Sequence, residues 1–263
     1  MPPGDPFGYA QRRVVVTGCG SGIGAAAARL LSDAGAEVHG LDIRPGDSPV
    51  SAFTPVDLRD CAAIDRWTGQ LTGPIDALFN CAGIAPGYPP LDVMTVNFIA
   101  LRHLSERLVD SMAEGGAVVS VSSNGGMGWR ERLPALQDLL ATGSFAAAVQ
   151  WCADNPEISA DAYRLSKEAI VVWTFQQSAS FIARGVRLNC TSPGTVQTPM
   201  LDFIAKSVPA TAIDSVAQPI GRRSSPEEQA WVLLFLNSPL ASYVNGADLP
   251  VDGGFQAARR LPG

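Results

Sequence analysis

The sequence predicts an α/β fold in which a doubly wound parallel sheet carries helices on both faces. Short apolar runs rich in β-branched residues, which are typical of buried strands, alternate with longer segments of helical character. Nearly continuous apolar strands of this kind belong to parallel sheets that are covered on both faces. The chain of 263 residues contains no internal repeat and no low-complexity linker. We therefore expect a single domain over residues 12–263, preceded by a flexible tail over residues 1–11.

The predicted elements follow one another in the order that such a sheet requires. Five segments have the length and composition of strands, namely residues 13–17, 37–41, 76–80, 117–121 and 186–190. Three segments have helical patterns, namely residues 22–34, 161–183 and 226–237. The first helix is expected to end near Gly35, and Pro226 suits the first turn of the last.

Composition excludes several function classes. The chain has 19 basic and 25 acidic side chains and a net charge of −6, so it lacks the basic face of a protein that binds nucleic acid or an anionic membrane. No apolar run reaches the ~20 residues of a membrane span. Residues 1–13 lack the hydrophobic stretch of a signal peptide. Since the five cysteines form no CxxC pair, we expect reduced thiols and a cytoplasmic protein.

The histidines argue against two further classes of site. His39 and His103 are the only histidines, and neither lies near a cysteine in a metal-binding spacing. The sequence therefore predicts no metal site. It is also a poor fit to a Ser-His-Asp hydrolase.

A glycine-rich segment lies between the first predicted strand and the first predicted helix. Gly18, Gly22 and Gly24 follow a GxxxGxG spacing, and Gly20 adds an overlapping glycine. Glycines let the backbone approach a pyrophosphate, and a helix N-terminus offers free N–H groups and partial positive charge. The strand before it and the helix after it favour a Rossmann-type dinucleotide site over an ordinary strand–helix turn.

Asp42 follows the second predicted strand, 18 residues after Gly24. A carboxylate at this place accepts hydrogen bonds from the adenosine ribose and repels the additional phosphate of NADP. Arg44 is the one nearby residue that weakens this preference for NAD over NADP. The pattern predicts NAD, with NADP as the less favoured cofactor.

Tyr163 and Lys167 are four residues apart in a predicted helix, so they share one face of it. A nearby cation stabilises phenolate and lowers the tyrosine pKa from about 10 towards neutrality. A tyrosine tuned in this way can act as a general base on an alcohol.

These motifs, with several others in the same order, resemble the short-chain dehydrogenase/reductase family over residues 12–255. The others are the segment from Asn80 to Gly83, Asp57 with Leu58, Asn97, the serine pair at 122–123, and Pro193-Gly194 followed by Thr198. The resemblance implies a cofactor site made of Gly18, Gly20, Ser21, Gly22, Ile23, Gly24, Asp42, Asp57, Leu58, Asn80, Ala82, Gly83, Tyr163, Lys167, Pro193, Gly194, Val196 and Thr198.

The resemblance also implies catalytic roles. Tyr163 would exchange a proton with the substrate oxygen, Lys167 would lower its pKa, and Asn97 would support a proton relay. The family pattern places the catalytic serine second in such a pair and three residues before a glycine. Ser123, which precedes Gly126 by three residues, would therefore orient the substrate oxygen. Ser122 is the alternative.

The segment between Ser123 and Tyr163 is longer than in most of the family. The excess, residues 127–158, has the spacing of one or two short amphipathic helices. This insertion would pack over helices that relatives use for pairing, cap the substrate cleft, or form a surface excursion with its own small core. With this insertion, the chain resembles a subgroup of the family that contains hydroxysteroid and coniferyl alcohol dehydrogenases.

Residues 199–223 are expected to form an apolar substrate loop that closes over the site. The resulting hypothesis is an NAD-dependent oxidoreductase acting on a hydrophobic secondary alcohol or ketone or an aryl alcohol, in a homodimer or homotetramer. The alternatives are an NADPH-preferring carbonyl reductase and a non-catalytic NAD(H)-binding protein.

Overall fold

A computed structural model describes residues 5–260 and shows a seven-stranded parallel sheet. The strands are β1 (Arg13–Thr17), β2 (Glu37–Asp42), β3 (Ala52–Pro55), β4 (Ile75–Asn80), β5 (Met112–Val121), β6 (Arg187–Pro193) and β7 (Asp248–Val251). Their order across the sheet is β3-β2-β1-β4-β5-β6-β7. The chain winds outwards from β1 in one direction and from β4 in the other. The crevice between the carboxyl ends of β1 and β4 is where such sheets bind ligands.

Twelve α-helical segments are described. They are α1 (Gly22–Asp33), α2 (Cys61–Gln70), α3 (Pro90–Met94), α4 (Ala100–Leu108), α5 (Leu133–Leu140), α6 (Phe145–Asp154), α7 (Pro156–Ser159), α8 (Ala162–Ile182), α9 (Pro199–Ile204), α10 (Ala210–Ser215), α11 (Pro226–Asn237) and α12 (Ala257–Arg260). A π-helical turn, Thr95–Ile99, joins α3 to α4 without a break.

The two faces of the sheet carry separate cores. Val14 and Val16 of β1 pack towards α1 and α11, whereas Val15 packs towards the side that carries α2, α4 and α8. This alternation follows from the period of two along a strand, and it explains why the strand is apolar at every position. The predicted fold class, a doubly wound parallel sheet with helices on both faces, is confirmed.

The predicted elements are all present, with shifted ends. Four strands are longer than predicted, since β4 begins at Ile75, β5 begins at Met112, β6 ends at Pro193, and β2 includes Asp42. Gly35 follows α1 with a φ of +83°, a conformation in which glycine is favoured after a helix. Sequence analysis did not predict β3, α2 or β7. Two of these are strands of only four residues, too short for a clear pattern.

The insertion at residues 127–158 folds into α5, α6 and most of α7. Leu136, Leu139, Ala148 and Cys152 are buried in the core that α4 and α8 share. The insertion therefore packs over the helices beside the sheet, and its apolar residues extend the main core.

Residues 5–11 pack against the domain, contrary to the expected flexible tail; residues 1–4 lie outside the described part of the chain. Tyr9 is fully buried, and its hydroxyl donates a hydrogen bond to the Leu234 carbonyl at 2.7 Å. The Asp5 carboxylate accepts hydrogen bonds from the backbone N–H groups of Tyr9 and Ala10 at 2.9 and 2.8 Å. Across residues 5–260, no helix combines the length and apolar character needed to cross a bilayer.

Candidate active site

A cleft of about 700 Å³ opens at the carboxyl ends of the central strands. It brings together most of the residues singled out in the sequence. Those that line it are Gly18, Ser21, Gly22, Ile23, Asp42, Asp57, Leu58, Ala82, Gly83, Ser123, Tyr163, Lys167, Pro193, Gly194, Val196 and Thr198. Gly20, Gly24 and Asn97 lie directly behind this lining and contact it.

The glycine-rich loop packs closely against the turn after β4. A Cβ on Gly18, whose φ is +71°, would lie 2.7 Å from the Ala82 backbone, and one on Gly24 would overlap the Gly18 carbonyl. The Thr17 hydroxyl accepts hydrogen bonds from the Cys81 and Ala82 N–H groups, both at 3.1 Å. No larger side chain fits at Gly18 or Gly24, so this turn keeps its backbone open to the cleft.

The start of α1 has backbone N–H donors that no side chain caps. Ser21 is the N-cap residue, but its side chain makes no capping hydrogen bond. The first N–H groups of a helix have no partner within the helix, so the start of α1 can bind an anion. The Asp42 carboxylate stands beside this loop, where it accepts hydrogen bonds from the Gly20 and Ile43 N–H groups at 2.9 and 2.7 Å.

Asp57, at the side of the cleft away from Tyr163, is part of a charged bridge. Arg59 binds Asp57 at 2.7 Å and Asp92 at 3.0 Å, and all three residues line the cleft. The side-chain hydrogen bond from Arg59 holds the pKa of Asp57 below its usual value. Sequence analysis missed Arg59 and Asp92, because only the fold brings the start of α3 next to the loop after β3.

Ser123 and Tyr163 lie side by side in the cleft: a Cβ on Gly125 would lie 3.6 Å from the Tyr163 ring and 3.7 Å from Ser123 Oγ. Burial raises the pKa of the Tyr163 phenol, and the hydrogen bond with Ser123 lowers it. Ser122 points the other way and donates to the Lys167 carbonyl at 2.8 Å. Of the two serines that the sequence left open, Ser123 is therefore the one whose hydroxyl meets the tyrosine.

Lys167 is almost completely buried beside Tyr163. Its Nζ donates to the Val121 carbonyl at 2.8 Å and lies 5.7 Å from the centre of the tyrosine ring. Burial lowers the pKa of Lys167 to about 8, so the ammonium still prevails at neutral pH.

Asn97 lies in the π-helical turn, a feature that often occurs at functional sites. Its side chain accepts from the Ile84 N–H at 2.8 Å and donates to the Ile84 carbonyl at 3.1 Å. A Cβ on Gly83 would lie 3.3 Å from the Asn97 amide oxygen and 3.8 Å from Lys167 Nζ. Asn97 therefore fixes the turn that borders the buried lysine.

Asn80 does not reach the cleft, and its prediction as a cofactor-binding residue is corrected here. Its amide donates to the Ser105 and Ser120 hydroxyls at 2.9 and 3.3 Å in the core, and the residue is 2% exposed. Side chains alternate between the faces of a strand, and the last residue of β4 points to the face covered by α4.

The other end of the cleft is apolar. Its lining there comes from the expected substrate loop and from the turn after β4, and includes Ile84, Tyr88, Met200, Leu201, Ile204, Val208, Ala212, Ile213 and Val216. The rings of Tyr88 and Phe203 stack at 5.4 Å and connect the two segments. None of residues 127–158 lines the cleft.

Comparison with known proteins identifies the family. Residues 12–135 match the profile described as short chain dehydrogenase, and residues 132–256 match the one described as Enoyl-(Acyl carrier protein) reductase. A coniferyl-alcohol dehydrogenase of a Pseudomonas species is 35% identical over 245 residues, which cover 93% of this chain and 96% of that protein. The chain belongs to the short-chain dehydrogenase/reductase family. It is therefore an NAD(P)-dependent enzyme of the alcohol dehydrogenase/carbonyl reductase class.

Two further short-chain dehydrogenases/reductases are similar over nearly their whole length. The 3-alpha-hydroxysteroid dehydrogenase/carbonyl reductase of Comamonas testosteroni is 32% identical, covering 94% of this chain and 97% of that protein. The crystal structure of a Pseudomonas 3-alpha-hydroxysteroid dehydrogenase in complex with NADH superposes with a TM-score of 0.80 at 32% identity. That alignment covers 94% of this chain and 98% of the other. These similarities also confirm the expected subgroup.

A short-chain dehydrogenase/reductase needs a nicotinamide dinucleotide, and the residues of this cleft fit one. The uncapped start of α1 suits a pyrophosphate, and the close packing at Gly18 and Gly24 leaves the loop free of side chains. The Asp42 carboxylate suits ribose hydroxyls. Ser123 and Tyr163 line the same cleft as this region and the apolar end.

Proposed function

We propose that this chain is an NAD-dependent dehydrogenase that interconverts a hydrophobic secondary or aryl alcohol and the corresponding carbonyl compound. The observation that carries the proposal is the placement of Ser123 and Tyr163 side by side in a cleft whose outer wall is apolar. A hydroxyl pair of this kind can hold a carbonyl or alcohol oxygen and exchange a proton with it.

Tyr163 is the general acid and base in this proposal. Burial favours its neutral form, so the phenol is ready to donate a proton when a carbonyl is reduced. In the oxidation direction the phenol must first lose its proton, and the Ser123 hydrogen bond and the nearby Lys167 charge favour that loss. When bound, the nicotinamide ring supplies or accepts the hydride.

In this proposal, Lys167 and Asn97 assist the proton exchange of Tyr163. A charge 5.7 Å from the ring acts more strongly in a buried site than it would in water. The Gly83 turn adjoins both Asn97 and Lys167, which supports the proposal that these residues begin a path along which a proton leaves the phenol.

The cofactor preference rests on Asp42. Two backbone N–H groups fix its carboxylate at the end of β2, where it can accept hydrogen bonds from ribose hydroxyls and repel an additional phosphate. Arg44 makes no ion pair with Asp42 among the described contacts, so the negative charge is not neutralised there.

The test is a comparison of NAD and NADP with a panel of alcohols, followed through the absorbance of the reduced cofactor. The panel holds a 3α-hydroxysteroid, coniferyl alcohol, a cyclic terpene alcohol and a short polar alcohol. We expect a higher kcat/KM with NAD and turnover of at least one hydrophobic alcohol. Equal efficiency with both cofactors contradicts the role of Asp42, and turnover of the short polar alcohol alone contradicts the substrate class.

Tyr163→Phe tests the chemistry. We expect a loss of about 10²–10⁴ in kcat, the usual contribution of a positioned acid or base, with unchanged NADH binding. Tyr243→Phe is the matched control, because Tyr243 is fully exposed and far from the cleft. Wild-type rates in Tyr163→Phe would contradict the assignment.

A further inference from the structure

Three side chains that can bind a metal meet between α2 and α4, outside the cleft. Cys61 and Asp65 lie four residues apart on α2 and so share one face of that helix, and His103 on α4 faces them. Their nearest ligand atoms all lie within 4.8 Å of one another. The sequence predicted no metal site, because 38 residues separate Asp65 from His103 and only the packing of α2 on α4 joins them.

The distances among these atoms suit one tetrahedral ion. His103 Nε2 lies 3.5 Å from Cys61 Sγ and 2.9 Å from Asp65 Oδ1, and Sγ lies 3.9 Å from Asp65 Oδ2. With ligands at zinc distances of about 2.3 Å for sulfur and about 2.0 Å for nitrogen and oxygen, a tetrahedron separates the ligand atoms by roughly 3.3–3.6 Å. Only small side-chain movements are needed to receive the ion.

The surroundings leave room for an ion and hold the ligands in place. A cavity of about 300 Å³ adjoins Cys61 and His103 and is bordered by the start of α6, including Phe145. The Phe145 ring contacts the His103 ring edge-on at 5.6 Å. The Arg107 guanidinium lies 3.3 Å from Asp65 Oδ1 and helps to orient that carboxylate. The three ligand residues are partly exposed, so an ion can enter from solvent.

We propose that Cys61, Asp65 and His103 form a site for a divalent transition metal of the zinc type, with a fourth position open to water or a small ligand. One thiolate, one imidazole and one carboxylate are a ligand set that zinc accepts, and three protein ligands leave the remaining position free. Binding replaces the hydrogen bond between His103 and Asp65 with bonds to the ion. The Cys61 thiol releases one proton to solvent as its sulfur bonds the metal.

The proposed site joins two helices that each follow a segment bordering the cleft. α2 follows the segment that contains Asp57 and Arg59, and α4 continues the π-helical turn that contains Asn97. Since an ion that binds only the folded chain stabilises it, zinc should raise the unfolding temperature in a concentration-dependent way.

The test uses the full-length chain after chelation and reduction. Zinc is titrated by calorimetry, and cobalt is titrated by absorbance, which shows a thiolate-to-metal charge-transfer band only if a cysteine is bound. We expect one ion per chain and a charge-transfer band. Cys61→Ser should abolish the band, and His103→Gln should weaken zinc binding by more than the ~10–100-fold that loss of an outer-shell partner causes.

His39→Gln is the matched control. His39 also lies beside a carboxylate, 3.1 Å from Glu37, but has no cysteine near it among the described contacts, so its loss should leave binding unchanged. NADH binding by each variant checks that it is folded. As a second measurement, zinc should protect Cys61 of the wild type from alkylation. Equal alkylation with and without zinc, a band that persists in Cys61→Ser, or no stoichiometric binding by the wild type would overturn the proposal.

Discussion

Ser122 and Ser123 show how much depends on which side of a chain a residue faces. They are neighbours after β5, yet the Ser122 hydroxyl donates to the Lys167 carbonyl, whereas the Ser123 hydroxyl lies beside Tyr163 and lowers the pKa of its phenol. The Ser122 hydrogen bond fixes α8, which carries Tyr163 and Lys167, to the end of β5. The Ser123 hydroxyl acts on the protonation of the phenol, because it stabilises the charged form that burial disfavours.

Ser123→Ala tests this division. In the proposed mechanism, alcohol oxidation requires the Tyr163 phenolate, and the Ser123 hydroxyl lowers the pKa of that phenol. Its removal raises the pKa, so the rising limb of the oxidation rate against pH should move to higher pH. We also expect kcat to fall by about 10²–10³, as for the loss of one oriented donor.

Ser122→Ala is the comparison for that profile. It should keep the pH midpoint of the wild type while the free energy of unfolding falls by about 0.5–1.5 kcal/mol, the usual contribution of one hydrogen bond. An alkaline shift in Ser122→Ala rather than Ser123→Ala would reverse the assignment of the two serines.

Among the elements, the insertion is fastened to α8 by a buried carboxylate. The side chain of Glu168 is fully buried, and its oxygens lie 3.2 Å from Arg132 Nε and 3.7 Å from an Arg164 nitrogen. Burial raises the pKa of Glu168, while the two arginines lower it. Because Glu168 follows Lys167 directly, this ion pair connects the insertion to the helix that carries the catalytic pair.

Arg132→Ala should lower the free energy of unfolding at neutral pH by at least about 1–3 kcal/mol, since it leaves a buried charge with one half-exposed partner. Urea denaturation measures the loss. The loss should shrink as the pH falls through the pKa of Glu168, because a protonated carboxyl needs no cation. Arg184→Ala removes an exposed ion pair with Asp110 and should cost no more than about 1 kcal/mol at any pH.

The substrate loop is held by an aromatic contact. The stacked rings of Tyr88 and Phe203 join the turn after β4 to α9, and both rings are partly exposed at the mouth of the cleft. Stacking of this kind contributes about 0.5–1.5 kcal/mol, which is enough to bias a short loop towards its closed position.

Phe203→Ala should raise KM for a hydrophobic alcohol roughly 2- to 12-fold, since the closed loop loses about 0.5–1.5 kcal/mol. Tyr88→Ala should have a similar effect. The double variant should add little to either single change, because both remove the same contact. Fully additive effects would show that the two rings bind substrate independently and do not act as a pair.

At the scale of the whole molecule, the features that could be predicted from the sequence are those formed by residues close together in the chain. The glycine loop, Asp42 and the pair of Tyr163 and Lys167 each depend on residues close together in sequence, and the cleft unites them because parallel strands end on the same side. Features formed between distant segments were not predictable. The Arg59 bridge and the three residues between α2 and α4 depend on helix packing, and the inward direction of Asn80 depends on which face of β4 ends at that residue.

Residues 5–11 show the same limit, because Pro6, Gly8 and the lack of an apolar run conceal an anchored segment. Tyr9→Phe should lower the free energy of unfolding by about 0.5–1.5 kcal/mol through the lost hydrogen bond to Leu234, and Tyr9→Ala by about 3–5 kcal/mol through the additional loss of packing on Phe79. Tyr243→Ala, at a fully exposed ring, should stay within about 0.5 kcal/mol of the wild type in the same urea titration. If Tyr9→Ala matched that control, residues 5–11 would be the flexible tail that composition alone suggests. A larger loss in Tyr9→Ala than in Tyr9→Phe would instead identify residues 5–11 as part of the core on the face of the sheet that carries α1 and α11.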